Sequence, residues 1–599
     1  MYSIETVSAL QKKMFSLLEC NAEVSVTGEP FDGVRVQYEG GSARIGYGSR
    51  SQLCRGLFLL AKGLSEGKEI LDIAQKPHFN ELGVMLSLRL SMTVDGIIHY
   101  MSHMAALGYN YLLLYMETTY EVPEYPFFGY LKGRYTPDEL RRIDAAGAEM
   151  GIEVIPCVQT LAHMTDYLRW PVAGPIRDNA EVLLIGEEKT YQFIETLIRT
   201  LSGIFTTRKI HIGFDEARGM GLGAYLKNHP YTDRIELFNF HLARVKELCF
   251  QYGLKPMMWS DMPFRLGGDG FSGEYDMKSV IPASTVKAME GVELCFWDYY
   301  QYDYDFYDTV IKKHLSFSGA TTVFSGGIWT LDQFFINYPH TVRATLPAME
   351  ACLNNGIKNV MATIWGDASD TNHEQSLYGL SLFSEHCYLG KDCTMEDVYG
   401  TMEYLTKSSR EFVNAISEFH LGYKNSLKLG GRLVFTDILY RKLRHTTDFD
   451  GNARRLGEAL EVIRREPDTA YTKDLKAFAE ILFPIAMMKC DILKNIQPAY
   501  LERNQETLQA ISEALIPTLI PLYQAASAMQ QKLWLRSTKP FGIESVQMIF
   551  ANAIVRLEYA QRLLRDLLEG RITEIPELEV PVLEEGYVDW LGMDNHMKV

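Results

Sequence analysis

From about residue 80 the chain alternates short apolar runs with helix-period segments, the pattern of repeated βα units and a parallel sheet. Strands are expected near Gly83–Leu90, Asn110–Met116, Glu153–Val158, Lys209–Phe214, Lys255–Trp259, Glu293–Trp297, Thr321–Ser325 and Asn359–Ile364. Eight such runs are the number that closes a (β/α)8 barrel, although periodicity alone does not separate a barrel from an open doubly wound sheet. Ahead of them, alternating runs around Val24–Val26, Val34–Tyr38 and Ala43–Tyr47 precede a helical stretch, Ser51–Lys62, and read as a small α/β module. Beyond about residue 395 the strand signals stop and apolar residues recur at helix spacing, with Pro517 and Pro521 marking a kink or break. The expected architecture is α/β: a small N-terminal α/β domain over 1–78, a (β/α)8 TIM barrel over 79–394, and an α-helical C-terminal domain over 395–599.

The chemistry concentrates where the apolar runs end. His211-Ile212-Gly213-Phe214-Asp215-Glu216 puts two adjacent carboxylates just past a buried strand, on the face where α/β folds bind ligands. Such a pair ordinarily caps the following helix. Its company changes the reading. Trp259-Ser260-Asp261, Trp297-Asp298-Tyr299-Tyr300, Gly327-Ile328-Trp329 and Trp365-Gly366-Asp367 all close apolar runs. Indole walls with carboxylates between them suit a sugar, whose ring faces stack on aromatics and whose hydroxyls donate to acids.

These motifs resemble the family 20 glycoside hydrolases, the β-N-acetylhexosaminidases, whose His-x-Gly-x-Asp-Glu signature is matched by His211, Gly213, Asp215 and Glu216. The segment Glu153–His163 resembles the family's third-strand segment ending in a pocket His, and Trp365-Gly366-Asp367 resembles its eighth-strand element. Val158-Gln159-Thr160 and Leu114-Tyr115-Met116-Glu117 are worded most like the hexosaminidase D-like branch. The likeness runs over roughly residues 80 to 370. It implies a retaining exo-hydrolase for terminal β-linked N-acetylglucosamine, with N-acetylgalactosamine also accepted. In that mechanism the substrate's 2-acetamido oxygen attacks the anomeric carbon to give an oxazolinium ion, and no cofactor or metal takes part. The resemblance assigns Glu216 as general acid and then base, Asp215 as the partner of the acetamido N–H, and Tyr299 or Tyr300 as donor to the acetamido oxygen. In better-known branches that Tyr comes one strand later. Trp259, Trp297, Trp329 and Trp365 would wall the pocket, and Asp367 would accept from the 4- and 6-hydroxyls. Arg89, Glu117 and His163 complete the substrate-binding set, although the Asp that usually precedes this Arg is absent. His211 reads as a core residue.

Composition narrows the partners. A net charge of −17 argues against nucleic acid or an anionic membrane, and no stretch offers the apolar length of a membrane span. The N-terminus lacks a signal-peptide core, and nine cysteines without metal-ligand spacing suit a reducing compartment, so a cytoplasmic location is expected. A glycan is the expected partner, with a homodimer left open. Two alternatives are a lacto-N-biosidase-type glycosidase and a catalytically silent glycan-binding protein.

Overall fold

The computed structural model describes residues 4–268, 273–331, 334–366, 373–421, 429–441, 443 and 447–581. They form two compact units. One comprises Met1–Trp329, Thr341–Trp365 and Gly379–Leu405; the other comprises Thr330–His340, Gly366–Tyr378 and Thr406–Val599.

The first unit begins with a helix, Ile4–Leu17, and a four-stranded sheet of β1 (Ser25–Pro30), β2 (Val34–Glu39), β3 (Ser42–Tyr47) and β4 (Ile70–Gln75), ordered β1-β3-β2-β4. The helix Arg50–Ser65, capped by the Ser49 side chain, lies against this sheet. The close approach depends on Gly56, where a Cβ would stand 2.5 Å from a methyl of Ile45. The initial helix and β4 were not among the expected elements.

The barrel follows: β5 (Glu81–Ser87), β6 (Tyr111–Tyr115), β7 (Glu153–Cys157), β8 (Lys209–His211), β9 (Lys255–Trp259), β10 (Glu293–Trp297), β11 (Thr321–Gly327) and β12 (Asn359–Ile364). All eight pair in parallel with their neighbours, and β12 pairs with β5 to close the cylinder. Seven of these strands are buried at every position or at all but the first, as expected for strands covered by helices on one side and barrel core on the other. Seven of the eight expected runs match to within a few residues. The eighth is corrected: Lys209–Phe214 is a strand only through His211, because Gly213 and Phe214 take φ of +75° and +78°, outside β geometry.

At the amino end of the barrel, polar side chains meet beneath the apolar layers. Lys209 Nζ lies 2.8 Å from both carboxylate oxygens of Glu81 and 3.6 Å from Glu293, and Tyr111 donates to Asn359 at 2.7 Å. β5, β8 and β10 are thereby cross-tied at the bottom, as are β6 and β12, leaving the top for chemistry.

The second unit is helical among its described residues. Phe449–Arg465 and Lys473–Leu501 pack together, as do Ile516–Ser537 and Ile543–Leu568. Phe334, Phe335, Phe419, Phe478 and Phe483 form a cluster of ring contacts in its interior. The expected break near Pro517 takes the form of a π-turn, Ile511–Leu515, after which Pro517 occupies the first turn of the next helix, where its missing N–H costs little. In the run Ile485-Ala486-Met487-Met488, Ile485 and Ala486 are buried and both methionines are half-buried.

Within the first unit, Arg55 donates to both oxygens of Glu385 at 2.8 Å, with both groups almost wholly enclosed, and its guanidinium lies over the Tyr388 ring at 5.0 Å. Removing one member strands a buried charge, so Glu385→Ala is expected to cost about 3–5 kcal/mol in urea denaturation followed on this unit. The apolar pair Arg55→Met with Glu385→Leu should recover most of that loss. A single variant as stable as wild type would show that the pair contributes nothing to folding.

Candidate active site

The upper ends of the barrel strands carry a polar network that runs from the first strand to the sixth. After β5, Arg89 Nε lies 3.1 Å from Glu117 Oε2, just past β6. Tyr115, the last residue of β6, donates to Glu117 Oε1 at 3.1 Å and accepts from the Gln159 amide at 2.9 Å. The same Gln159 nitrogen donates to Asp215 Oδ1 at 3.0 Å. The other oxygen of Asp215 lies 3.1 Å from His163 Nε2, and that nitrogen lies 3.5 Å from Glu216 Oε2. Glu216 Oε1 faces outward and accepts from Arg218 at 3.2 Å.

The backbone that presents these groups is held in uncommon conformations. Glu117, His163, Phe214 and Glu216 have φ of +46°, +54°, +78° and +48°, four non-glycine left-handed residues at the ends of three consecutive strands. Each costs of order 1–3 kcal/mol, and such strain persists where surrounding contacts over-determine it. Gly213 shows how tight the packing is, since a Cβ there would sit 1.9 Å from Gln159 Oε1. The turn from β8 leaves the two carboxyls unequally covered. Asp215 is buried, at 5% exposure, and Glu216 is about one third open to solvent.

The two carboxyls have opposite electrostatic surroundings. Burial works to raise the pKa of Asp215, but the charge and contact of His163 and the Gln159 amide outweigh it, and the group is held below its ordinary value. Glu216 moves the other way: burial and the neighbouring Asp215 charge push it up, against the partial offset of His163. His163 responds in kind. Burial disfavours its cation, but Asp215 dominates and pushes the imidazole up to about 10. The arrangement is an anion, a cation beside it, and a neighbouring carboxyl that holds its proton more firmly than a free glutamate does.

The aromatic residues gather around this pair. Trp259 is fully buried, its ring centroid 4.4 Å from that of His211 and 5.7 Å from that of Trp365, and Trp365 meets Tyr115 edge-on at 4.9 Å. Trp297 stacks on Tyr299 at 5.7 Å, and Trp329 contacts both Tyr299 at 6.1 Å and Tyr300 at 5.6 Å. Tyr299 is buried and Tyr300 is 41% exposed, so the two do not share one environment. Both follow β10, the sixth barrel strand. Asp298, just before them, is occupied locally, accepting from the N–H groups of Tyr300 and Gln301 and from the Tyr307 hydroxyl. Asp367 lies outside the described residues. His211 is a core group, as expected: burial pushes it down to about 3, and its Nδ1 accepts the Gly213 N–H at 3.1 Å.

One residue escaped assignment from the sequence. Asp261, two positions past the end of β9, is completely buried; its Oδ2 accepts the backbone N–H of Glu216 at 2.9 Å and its Oδ1 accepts the Trp297 indole at 3.2 Å. Burial and the charge of Asp215 push its pKa well up. It ties the fourth, fifth and sixth strand ends together at the left-handed turn of Glu216. The only signal was a carboxylate after a wholly apolar strand end. Gln159, cited above only as part of the Val158-Gln159-Thr160 likeness, proves to be the link between Tyr115 and Asp215.

Residues 93–269 match the glycosyl hydrolase family 20 catalytic domain, and residues 437–588 match the glycoside hydrolase 20C C-terminal domain, together more than half of the chain. The chain belongs to glycoside hydrolase family 20. Among individual relatives of this family 20 chain, the lacto-N-biosidase of Bifidobacterium bifidum is 30% identical over 32% of the chain and 18% of its own length. Hexosaminidase D of Bos taurus is 27% identical over 32% of the chain and 55% of its own length. The chain thus spans between about a fifth and about half of the curated relatives it matches. The solved GH20 exo-β-N-acetylglucosaminidase of Vibrio harveyi superposes with a TM-score of 0.51 at 15% identity, covering 69% of this chain and 74% of that one. This structural likeness supports the barrel fold.

Gly213→Ala should drive the new methyl into Gln159 while keeping a φ that L-residues avoid. A loss of about 1–3 kcal/mol in the unfolding free energy is expected, checked by urea denaturation against Gly186→Ala, where φ is +91° and a Cβ meets nothing within 4 Å. Equal losses in the two variants would assign the cost to backbone strain alone and remove the steric claim.

Proposed function

We propose that the chain is a retaining exo-β-N-acetylhexosaminidase that releases terminal β-linked N-acetylglucosamine, and N-acetylgalactosamine, through an oxazolinium intermediate. The observation that carries this reading is the division of labour between adjacent residues: Asp215 buried against His163 and Gln159, and Glu216 turned out at φ +48° with one oxygen on the solvent side. Two carboxyls at one strand end do not bracket a sugar as the usual acid and nucleophile pair must. They suit a reaction in which the substrate brings its own nucleophile.

In this reading Asp215 accepts from the acetamido N–H and keeps its negative charge as positive charge develops on the ring being formed. Glu216 gives its proton to the departing glycosidic oxygen. It then takes a proton from the water that attacks the anomeric carbon, which restores the acid and yields the sugar with retained configuration. His163 neutralises the buried Asp215 and limits how far that charge raises Glu216. Either Tyr299 or Tyr300 donates to the acetamido oxygen. Tyr299, buried between Trp297 and Trp329, is the better placed to do so. Trp259, Trp297, Trp329 and Trp365 enclose the acetamido methyl and the sugar face. Arg89 and Glu117, already paired, take up hydroxyls on the far side of the ring, and Asp367 takes the 4- and 6-hydroxyls. We place the chain in the cytoplasm. Its nine cysteines are all free thiols, seven of them buried, which suits a reducing compartment. No helix among the described residues is long and apolar enough to cross a membrane.

Glu216→Gln is expected to lower kcat by about 10²–10⁴ on glycosides with poor leaving groups, with binding of N-acetylglucosamine retained. Near-normal turnover of such substrates would move the acid to another residue. The test of the reaction itself compares an aryl β-N-acetylglucosaminide with the aryl β-glucoside, which lacks the acetamido group. The first should be hydrolysed and the second should be inert, because without the acetamido oxygen no internal nucleophile exists. A thiazoline mimic of the bicyclic intermediate should inhibit more tightly than N-acetylglucosamine. Hydrolysis of the glucoside at a comparable rate would establish an enzyme nucleophile instead. The likeness to a lacto-N-biosidase favours one further substrate, an aryl glycoside of a disaccharide, and release of the intact disaccharide would replace the monosaccharide reading.

A further inference from the structure

The chain carries a net charge of −17, yet the outward side of Glu216 is rich in arginine. Arg218, its side chain 62% exposed, lies 3.2 Å from Glu216 Oε1 and 3.7 Å from Glu274 Oε1. Arg265 is paired with the other oxygen of Glu274. Arg234 donates to the carbonyl of Ala217, and its position beside Arg265 helps to hold its pKa below the ordinary value, after burial. When Glu216 is protonated, Arg218 and Arg265 share one carboxylate, Glu274, with Arg234 beside Arg265. Arg265 is committed to Glu274, and Arg234 is half-buried. Arg218 is the one that reaches open solvent.

Its position decides which part of a substrate it can meet. Glu216 Oε2 faces inward to His163 and Asp215, the side that holds the acetamido group in the function proposed above, on which this inference rests. Oε1 lies instead against the exposed Arg218, the side left for the departing group in that function. We propose that Arg218 is the aglycone-binding residue and that the preferred substrates are β-N-acetylhexosaminides whose aglycone bears a carboxylate close to the scissile bond, such as a uronic acid residue. The planar guanidinium fork matches a carboxylate in two parallel hydrogen bonds, which a neutral sugar hydroxyl cannot reproduce.

The contact has a second effect. With the site empty, Arg218 pairs with Glu216 and favours the anionic form of the group that must act as an acid. A carboxylate on the aglycone gives Arg218 another partner and releases Glu216 to hold its proton. The other ionisable groups facing Glu216 are Asp215 and His163 on the inner side, and Asp261, Glu274 and Arg265 from the segment after β9; none of these is exposed as Arg218 is. An anionic aglycone would therefore be bound and would prepare the acid for its own departure.

The test uses the full chain with 3-carboxyphenyl and 3-carbamoylphenyl β-N-acetylglucosaminides, on wild type, Arg218→Lys and Arg218→Gln. The ratio of kcat/KM for the carboxyl over the carbamoyl substrate, compared between enzymes, cancels the difference in leaving-group ability. It should fall by about threefold to tenfold in Arg218→Gln, the range for a partly exposed hydrogen bond to a charged group, with Arg218→Lys between the two. The high-pH limb of kcat/KM for the carbamoyl substrate should move upward in Arg218→Gln, because Glu216 has lost the cation that lowered it. A substrate ratio unchanged in Arg218→Gln, or a high-pH limb that stays in place, would overturn the assignment. If wild type fails to hydrolyse even the carbamoyl glycoside, the hexosaminidase reading itself fails, and this inference with it.

Discussion

The upper half of the barrel is organised around one expensive requirement, a carboxylate kept ionised where water hardly reaches. An isolated buried anion would take up a proton. Asp215 avoids that with a cation, His163, against one oxygen and the Gln159 amide against the other. Gln159 must then be fixed, which the Tyr115 hydroxyl does; Tyr115 must in turn be oriented, which Glu117 does; and Glu117 is balanced by Arg89. Each link exists because the one before it would otherwise leave a buried polar group without a partner. The charge on Asp215 also raises its neighbour Glu216. One constraint thus yields both the anion and the acid that the proposed chemistry needs.

The same requirement accounts for the backbone strain. A carboxyl pair on a regular strand would point one group into the barrel and the other into the surrounding helices. Left-handed residues at Phe214 and Glu216 break that alternation, and Asp261 holds the second turn by accepting the Glu216 N–H. Asp261 also holds the indole of Trp297, so the wall of the pocket and the backbone of the acid are located by one buried carboxyl. A shift in either would be felt by the other.

Much of this was legible in the sequence, and the exceptions have physical causes. Long apolar runs bounded by polar residues located β9, β10 and β12 to the residue, because strands buried on both faces have no alternation to misread. The run Lys209–Phe214 was read as too long because Ile212 and Phe214 are as apolar as strand residues; nothing local reveals that Gly213 already has a left-handed φ. The strand Ile70–Gln75 was overlooked because only Leu71 is buried there, so its pattern is that of an edge. The motifs placed Asp215, Glu216, His163, Arg89 and Glu117 near one another. The roles of Gln159 and Asp261 depend on contacts across 56 and 45 residues of chain, which no local pattern encodes. Tyr299 and Tyr300 are equivalent as letters and differ in burial, a distinction set by the tertiary packing of Trp297 and Trp329.

The shortness of β8 has a consequence for how the cylinder breathes. With three residues, it pairs with β7 only through Cys157 and His211, supplemented by the bond from Val158 N–H to the His211 carbonyl, whereas β5 and β12 are matched over six positions. The seam between β7 and β8, beside the acid pair, has the fewest paired positions in the barrel. Sub-global opening should begin at this seam, with its amides exchanging with solvent before those of β5 and β12. A sugar bridging groups on β7 and β8 would span the seam and clasp it, so that occupancy of the pocket slows exchange on strands the ligand never touches.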